Sequence, residues 1–292
     1  MFRDYGVCPY SASRCEDGGE MIGATQARAP APYGYLGMQN CVRCRHFITG
    51  PAFLGGLISL ANEVLLQANY QSHQCTDLLS QINLKEEKLA AYDKEEYKCS
   101  LNNTTFDYAP RNLIEIELRK LESENEAASK KMDLFLCDLQ SIFKLIKQSQ
   151  TAASQEINSG ETSLSLIKQP NAELQIEIED TSKLQQLNEV CENATIYESA
   201  SASLAVTPRT QLLDKMATLN NIAPSLFLMP EKLQLEAGNQ MVQLLYSRLK
   251  SWEKVNDLVE GRITLVDLQD EERISPSEIE LITRNKLLKN EQ

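Results

Sequence analysis

The chain has 292 residues, 42% of them apolar and 24% charged, with a net charge of −12. This is the composition of a folded soluble protein and excludes a disordered or collagen-like chain. The acidic balance excludes general nucleic-acid binding, because the surface as a whole repels a phosphate backbone. Residues 1–50 nevertheless hold five Arg against four acids, a local net of +1 that leaves −13 for the rest. Any DNA contact is therefore expected near the N-terminus.

The opening "MFRDYGVCPYSASRCEDGG" places acids and a proline where a secretion signal needs an uninterrupted apolar core, so the expected location is the cytoplasm. Residues 1–50 contain three of the ten prolines and seven of the twelve glycines, in loop-like runs. Such a segment buries little surface by itself and needs a staple. Cys8 and Cys15 form a C-x6-C pair, and Cys41 and Cys44 a C-x2-C pair. In a reducing compartment cysteines serve as thiols or metal ligands rather than disulfides. Four thiolates close a tetrahedral zinc site, and zinc binding would supply the missing folding energy. The all-cysteine set is the leading reading. The alternatives are a set in which His46 replaces Cys8 or Cys15, and packed thiols with no metal. Arg43, Arg45 and His46 sit just before the first long helix, whose free N–H groups favour an anion. They are candidate DNA phosphate contacts, with solvated surface charge as the competing reading.

Residues 47–61 lack charge but contain Gly50, Pro51, Gly55 and Gly56, with Glu63 close behind. A membrane span needs ~20 apolar residues, so a buried helix is expected and no membrane contact. Gly50 suits an N-cap and Pro51 the first helical turn. Leu54, Ile58, Ala61, Leu65, Ala68, Ser72, Cys75, Leu79, Ile82 and Leu89 then follow alternating four- and three-residue steps, with Glu86 the odd member. After the polar break "SLNNTTFDYAP", the seam Ile114, Leu118, Leu121, Asn125, Ala128, Met132, Phe135, Leu139, Ile142 and Ile146 keeps heptad spacing. If the break is a turn, Ala68 faces Phe135, Ala61 faces Ile142 and Cys75 faces Ala128 or Ser129, small against large at the first two of these levels. An antiparallel helical hairpin is expected, with parallel homo-oligomerisation through the seam as the alternative. Cys75 and Cys137 are expected as packed thiols, and His73 as a surface residue.

Residues 151–170 are rich in Ser, Thr and Gln and read as a polar linker. Shorter helices are expected near 172–200, 208–221, 230–250 and 276–289, with breaks at Thr207-Pro208, Pro224, Pro230 and Ser275-Pro276. The fold class is thus mainly α. Its expected parts are a loop-rich zinc-knuckle module (1–50), a long coiled-coil-like hairpin (51–150), the linker, and a helical C-terminal region (171–292).

No H-x-x-R, G-x-S-x-G, P-loop or H-E-x-x-H occurs. Tyr5, Tyr10, Tyr33 and Tyr35 lack the cluster of basic groups that a phenol needs to attack a phosphodiester. The chain is therefore expected not to be an enzyme.

Two stretches, "GVCPYSASRCEDGGE" and "YLGMQNCVRCRHFITGPAFLGGL", carry a C-x6-C, a Gly-Gly-Glu and a C-x2-C-R-H-F-I-T-G-P in one order. Over roughly residues 4–75 this resembles the gamma-mobile-trio integrases, long tyrosine-recombinase-like integrases of bacterial mobile elements. The resemblance implies a role in site-specific DNA recombination. It transfers no catalytic residue, because the family's Arg, Lys, H-x-x-R and nucleophilic Tyr belong upstream of this segment. The implied partners are a recombinase catalytic subunit or other integrase protomers, with DNA met as part of the complex. The alternative is a coiled-coil adaptor or regulator with a structural zinc site and no recombination role.

Overall fold

The structure, a computed structural model, describes all residues except 24–26, 39, 160–166, 169–180, 198, 200, 201, 291 and 292. It is mainly helical. Two-residue strands β1 (Phe2–Arg3), β2 (Gly6–Val7) and β3 (Ile48–Thr49) precede the long helices α1 (Leu54–Leu101) and α2 (Ala109–Ser159). Then come β4 (Ile167–Lys168), α3 (Lys183–Asn193), α4 (Ala202–Leu219), α5 (Glu231–Leu249), α6 (Trp252–Glu260) and α7 (Pro276–Asn290). The chain divides into two compact units. One holds Met1, Cys8–Phe47 and Gln67–Ile142, and the other Phe2–Val7, Ile48–Leu66 and Phe143–Gln292.

In the first unit, the loop-rich segment buries Ala31, Val42 and Phe47 and is organised by backbone hydrogen bonds. Gly19 N–H donates to Ala29 O at 2.9 Å, and Ala31 N–H to Cys15 O at 2.8 Å. The α2 seam is occupied as expected: Ala128, Phe135, Leu139 and Ile142 are buried, and Ile114, Leu118, Leu121 and Met132 are half-buried. Asn125 on this seam has a buried Oδ1 with no hydrogen-bond partner among the described residues.

On α1 the expected seam is half right. Ala68 and Ile82 point inward, but Leu79 is 48% exposed while Leu78 is 8% exposed, and Gln71 is buried in place of Ser72. The steps run three-then-four rather than four-then-three. The leucine doublet at 78–79 fits either order, so the apolar pattern alone does not choose between them. The same shift explains the odd Glu86: Lys85 takes the inward position, and its ammonium pairs with Glu117 of α2. Further along, Arg111 pairs with Asp93 at 3.0 Å, and Tyr108 Oη donates to Glu96 at 2.7 Å.

In the second unit, β1–β4 form one antiparallel sheet in chain order, with Val7 opposite Ile48 and Ile48 opposite Lys168. Pro51 opens a single turn, Pro51–Phe53, that leads into α1, as expected of a residue without an N–H. The apolar opening of α1 passes for a membrane span by length and composition, but half of that window is buried inside the protein. The main core belongs to the later helices, where Leu213, Met216, Met241, Leu245, Val255 and Leu258 are all at most 1% exposed.

Several helix ends carry their own stop and start signals. Ser182 Oγ caps α3 by accepting from Gln185 N–H at 3.2 Å. At α7, Ser275 N–H donates to Glu278 Oε2 at 2.8 Å, and Glu278 N–H donates back to Ser275 Oγ at 3.3 Å. This is a reciprocal capping box. The hydrogen bonds from Ser275 hold the Glu278 carboxyl below its ordinary pKa.

Three expectations need correction. Pro208 lies inside α4 rather than at a break. The carbonyl freed by its missing N–H is that of Leu204, a residue 50% exposed. Helix α2 runs to Ser159, into the stretch expected to be linker; apart from β4, the rest of that stretch lies outside the described residues, as do 172–180 of the next expected helix. Helix α6 was not expected. It is separated from α5 only by Lys250 in a left-handed conformation and Ser251, whose Oγ accepts from Lys254 N–H, with no Gly or Pro to announce the joint.

Leu78→Ala is expected to destabilise the helices by about 2 kcal/mol, whereas Leu79→Ala stays within about 0.5 kcal/mol of wild type. Urea unfolding followed by helical circular dichroism measures both; equal losses would restore the four-then-three seam.

Candidate metal centre

The first cysteine pair is presented by a tightly folded loop. Ser11 and Ala12 adopt positive φ of 48° and 68°, which turns the chain back so that Ala12 N–H points at the Cys8 sulfur, 3.5 Å away. Positive φ is costly for residues with a Cβ, so this turn is held by its surroundings. Cys15 opens a single turn through Asp17. Cys41–Arg43 forms a second such turn, closed by Cys44 N–H donating to Cys41 O at 3.0 Å. Arg45 N–H donates to Gly18 O at 2.8 Å and joins the two loops. A Cβ on Gly18 would lie 2.7 Å from the Cys44 sulfur, so the close approach of the loops requires glycine there.

Cys8, Cys15, Cys41 and Cys44 line one cavity of about 10 Å³, closed in part by Ala31 and Phe47. That is the volume of one water-sized sphere. Cys8, Cys41 and Cys44 are buried and Cys15 is half-buried. Burial pushes the Cys15 thiol up, and the neighbouring Cys8 sulfur pushes it further. Burial likewise raises Cys44, against a backbone hydrogen bond at His46, and the Cys15 and Cys8 sulfurs add to the rise. Grouped thiolates repel one another, so only a cation makes four of them coexist.

Among the described residues no three His, Cys, Asp or Glu side chains already stand in metal-holding geometry. Zinc–thiolate bonds of about 2.3 Å put tetrahedral sulfurs roughly 3.8 Å apart, and the four sulfurs would have to close inward to reach that. The donor set and the ion-sized gap otherwise fit a small, thiophilic, tetrahedral cation.

His46 is not part of the cavity wall. Its Nε2 lies 2.8 Å from Asp17 Oδ1, and its ring meets Tyr10 edge-on at 4.9 Å. Arg45 donates from Nε to Asp17 O at 2.8 Å and from Nη2 to Asp17 Oδ2 at 2.9 Å. Arg14 also pairs with Asp17. Arg14 first, then His46 and Arg45, hold the Asp17 carboxyl well below the usual carboxylate range. Arg43 lies 3.7 Å from Asp138. The three candidate phosphate-contacting residues thus all have acidic partners within the chain.

Asp138 is the residue that sequence reasoning missed. It projects from α2, is 1% exposed, and accepts Tyr35 N–H at 2.6 Å on Oδ2 and Asn40 Nδ2 at 2.7 Å on Oδ1. Burial raises its pKa against the pull of these donors and of Arg43. The one available signal was an acid beside Leu139 in the apolar run "LFLCDLQSIF". Of the remaining cysteines, Cys75 is half-buried on α1, but Cys137 is exposed and not the packed thiol expected of its apolar surroundings. His73 is exposed, as expected.

No family model matches the chain, and no curated protein or solved structure is significantly similar to it.

Gly18→Ala overpacks the loops against Cys44 at a cost of ~1–3 kcal/mol. In the reduced, metal-free protein, maleimide labelling of Cys44 is expected to rise about tenfold as local opening becomes easier. An unchanged rate, read by peptide mass spectrometry, would show that the approach is slack.

Proposed function

We propose that the chain is a non-catalytic assembly component of a site-specific DNA integration complex of a mobile element, with zinc on Cys8, Cys15, Cys41 and Cys44 shaping its N-terminal module. The observation that carries the zinc reading is the meeting of two separated cysteine pairs at one ion-sized cavity. The recombination setting rests on the ordered motifs of residues 4–75 and their resemblance to the gamma-mobile-trio integrases. In this reading residues 1–50 are a zinc-knuckle module, and α1 and α2 are a coiled-coil-like antiparallel hairpin. The pairs Lys85–Glu117 and Asp93–Arg111 support that hairpin.

The chain meets DNA as part of a complex. Arg45 and His46 reach a phosphate only by releasing Asp17, and Arg43 only by leaving Asp138, so a recombinase catalytic subunit or further integrase protomers make the first contact. Strand cleavage belongs to that partner, and the setting is the cytoplasm. One observation favours the adaptor reading as the alternative: Leu79, Leu84, Leu113 and Ile116 on the long helices are 48–64% exposed and offer protein contact without DNA.

Reduced wild-type protein is expected to carry about one zinc per chain by elemental mass spectrometry, and Cys41→Ser/Cys44→Ser less than about half of that. Absence of stoichiometric zinc from wild type removes the four-cysteine reading. Retention of an integrase catalytic subunit on the immobilised chain tests the setting. Self-association without such retention favours the adaptor.

A further inference from the structure

The C-x2-C turn buries Val42 and, just beyond it, Phe47, and the chain leading into it is tied to α2 by hydrogen bonds. Asn40, immediately before Cys41, is fully buried, lines the cysteine cavity, and donates its amide to Asp138. Arg43, between Cys41 and Cys44, lies against the same carboxylate. Tyr35 N–H anchors the chain that leads into the turn. Gly34 makes the approach feasible: a Cβ there would collide with both Asp138 oxygens and with the Asn40 amide. Elsewhere this face of α2 is apolar, with Phe135, Leu139 and Ile142 buried around the acid. A buried carboxylate at such a place is strongly disfavoured unless its oxygens are fully used, and here each oxygen is bonded to the segment that carries two of the four cysteines.

We propose that Asp138 is the positioning residue of the four-cysteine site, holding through Asn40 and Tyr35 the turn from which Cys41 and Cys44 reach the metal. The inference rests on the zinc reading above. Asp138 touches no metal. It acts as outer groups do at metal centres generally, by fixing the direction of the ligands, and removal of such a group lowers metal affinity by roughly 10–100-fold.

The hydrogen-bond chemistry provides a test that plain loss of stability does not imitate. Asp138→Leu removes both acceptors and leaves Tyr35 N–H and the Asn40 amide buried without a partner, whereas Asp138→Asn alone does not, because Asn40 Oδ1, unpartnered among the described residues, can turn to accept its new N–H. Asn40→Asp alone sets two carboxylates against each other. Together, Asn40→Asp and Asp138→Asn exchange donor and acceptor: the new amide oxygen accepts from Tyr35, and the new amide nitrogen donates to the carboxylate at position 40. Zinc affinity of full-length wild type, Asp138→Leu, Asn40→Asp and the double variant is measured by competition with a chromophoric chelator, with helical circular dichroism recorded alongside. Asp138→Leu and Asn40→Asp are each expected to bind roughly 10–100-fold more weakly, and the double variant to regain most of the Asn40→Asp loss, as coupled neighbours do in a mutant cycle. Wild-type affinity in Asp138→Leu, or a double variant no tighter than Asn40→Asp, overturns the inference while leaving the zinc reading standing. Absence of zinc from wild type overturns both.

Discussion

A carboxylate placed among apolar side chains on a long helix is the constraint on which the first unit depends. Asp138 cannot stay buried unless donors come to it, and the donors belong to a segment too rich in Gly and Pro to arrange itself. The requirement runs both ways: the helix gives the loop a fixed point, and the loop neutralises a charge the helix could not otherwise hide. The donors are a backbone N–H and a side-chain amide, with the Arg43 guanidinium at a longer 3.7 Å. Burial outweighs them, so the carboxyl stands above its ordinary pKa. Its geometry is accordingly set more by hydrogen bonding than by ion pairing.

The same economy governs the basic residues. Asp17 gathers Arg14, Arg45 and His46, so much of the positive charge of the N-terminal segment is already paired, with Arg14 and Arg45 still partly exposed. A basic run in sequence suggests a phosphate-facing surface, and here it serves instead to tie the turn after Cys15 to the turn after Cys44. The exposed face of the segment is correspondingly richer in apolar groups, with Met21, Tyr33 and Met38 each more than half exposed.

Features set by local spacing were legible in the sequence, and those set by distant partners were not. The α2 seam reads correctly even through the doublet Leu113-Ile114 and the run Leu134-Phe135-Leu136, because levels with a single apolar residue, such as Leu118, Leu121, Met132 and Leu139, fix its phase. The α1 seam does not, because Leu78 and Leu79 are both apolar and the choice falls to the partner helix, which takes Lys85 for Glu117. The two cysteine pairs were visible as pairs, and their common cavity is what the structure adds. Pro208 was misread because a proline marks a break only as a tendency, and here the carbonyl it frees belongs to an exposed residue, Leu204. Asp138 lies about a hundred residues from Asn40, as the 98-residue separation of their hydrogen bond records, and no local pattern reports a bond of that span.

The C-terminal helices handle buried charge in the opposite way. Arg209 of α4 is fully buried with no carboxylate in ion-pair contact among the described residues, although the charge of Glu192 acts on it from nearby. Its guanidinium donates to Asn188 of α3 at 3.0 Å, to Asn239 of α5, and to Leu235 O of α5 at 2.9 Å. The Cys191 thiol beside it is pushed up to about 11 by burial and so supplies no negative charge at neutral pH. Neutral oxygens offset the desolvation of a cation only in part, whereas their directions are stringent: three helices must keep their relative rotation for one planar group to be satisfied. An apolar side chain at position 209 would leave Asn188 and Asn239 with buried oxygens lacking a donor, a cost of ~1–3 kcal/mol for each. The guanidinium and its amides are therefore interdependent, and the packing of α3, α4 and α5 is specified by their mutual satisfaction more narrowly than apolar contact would require.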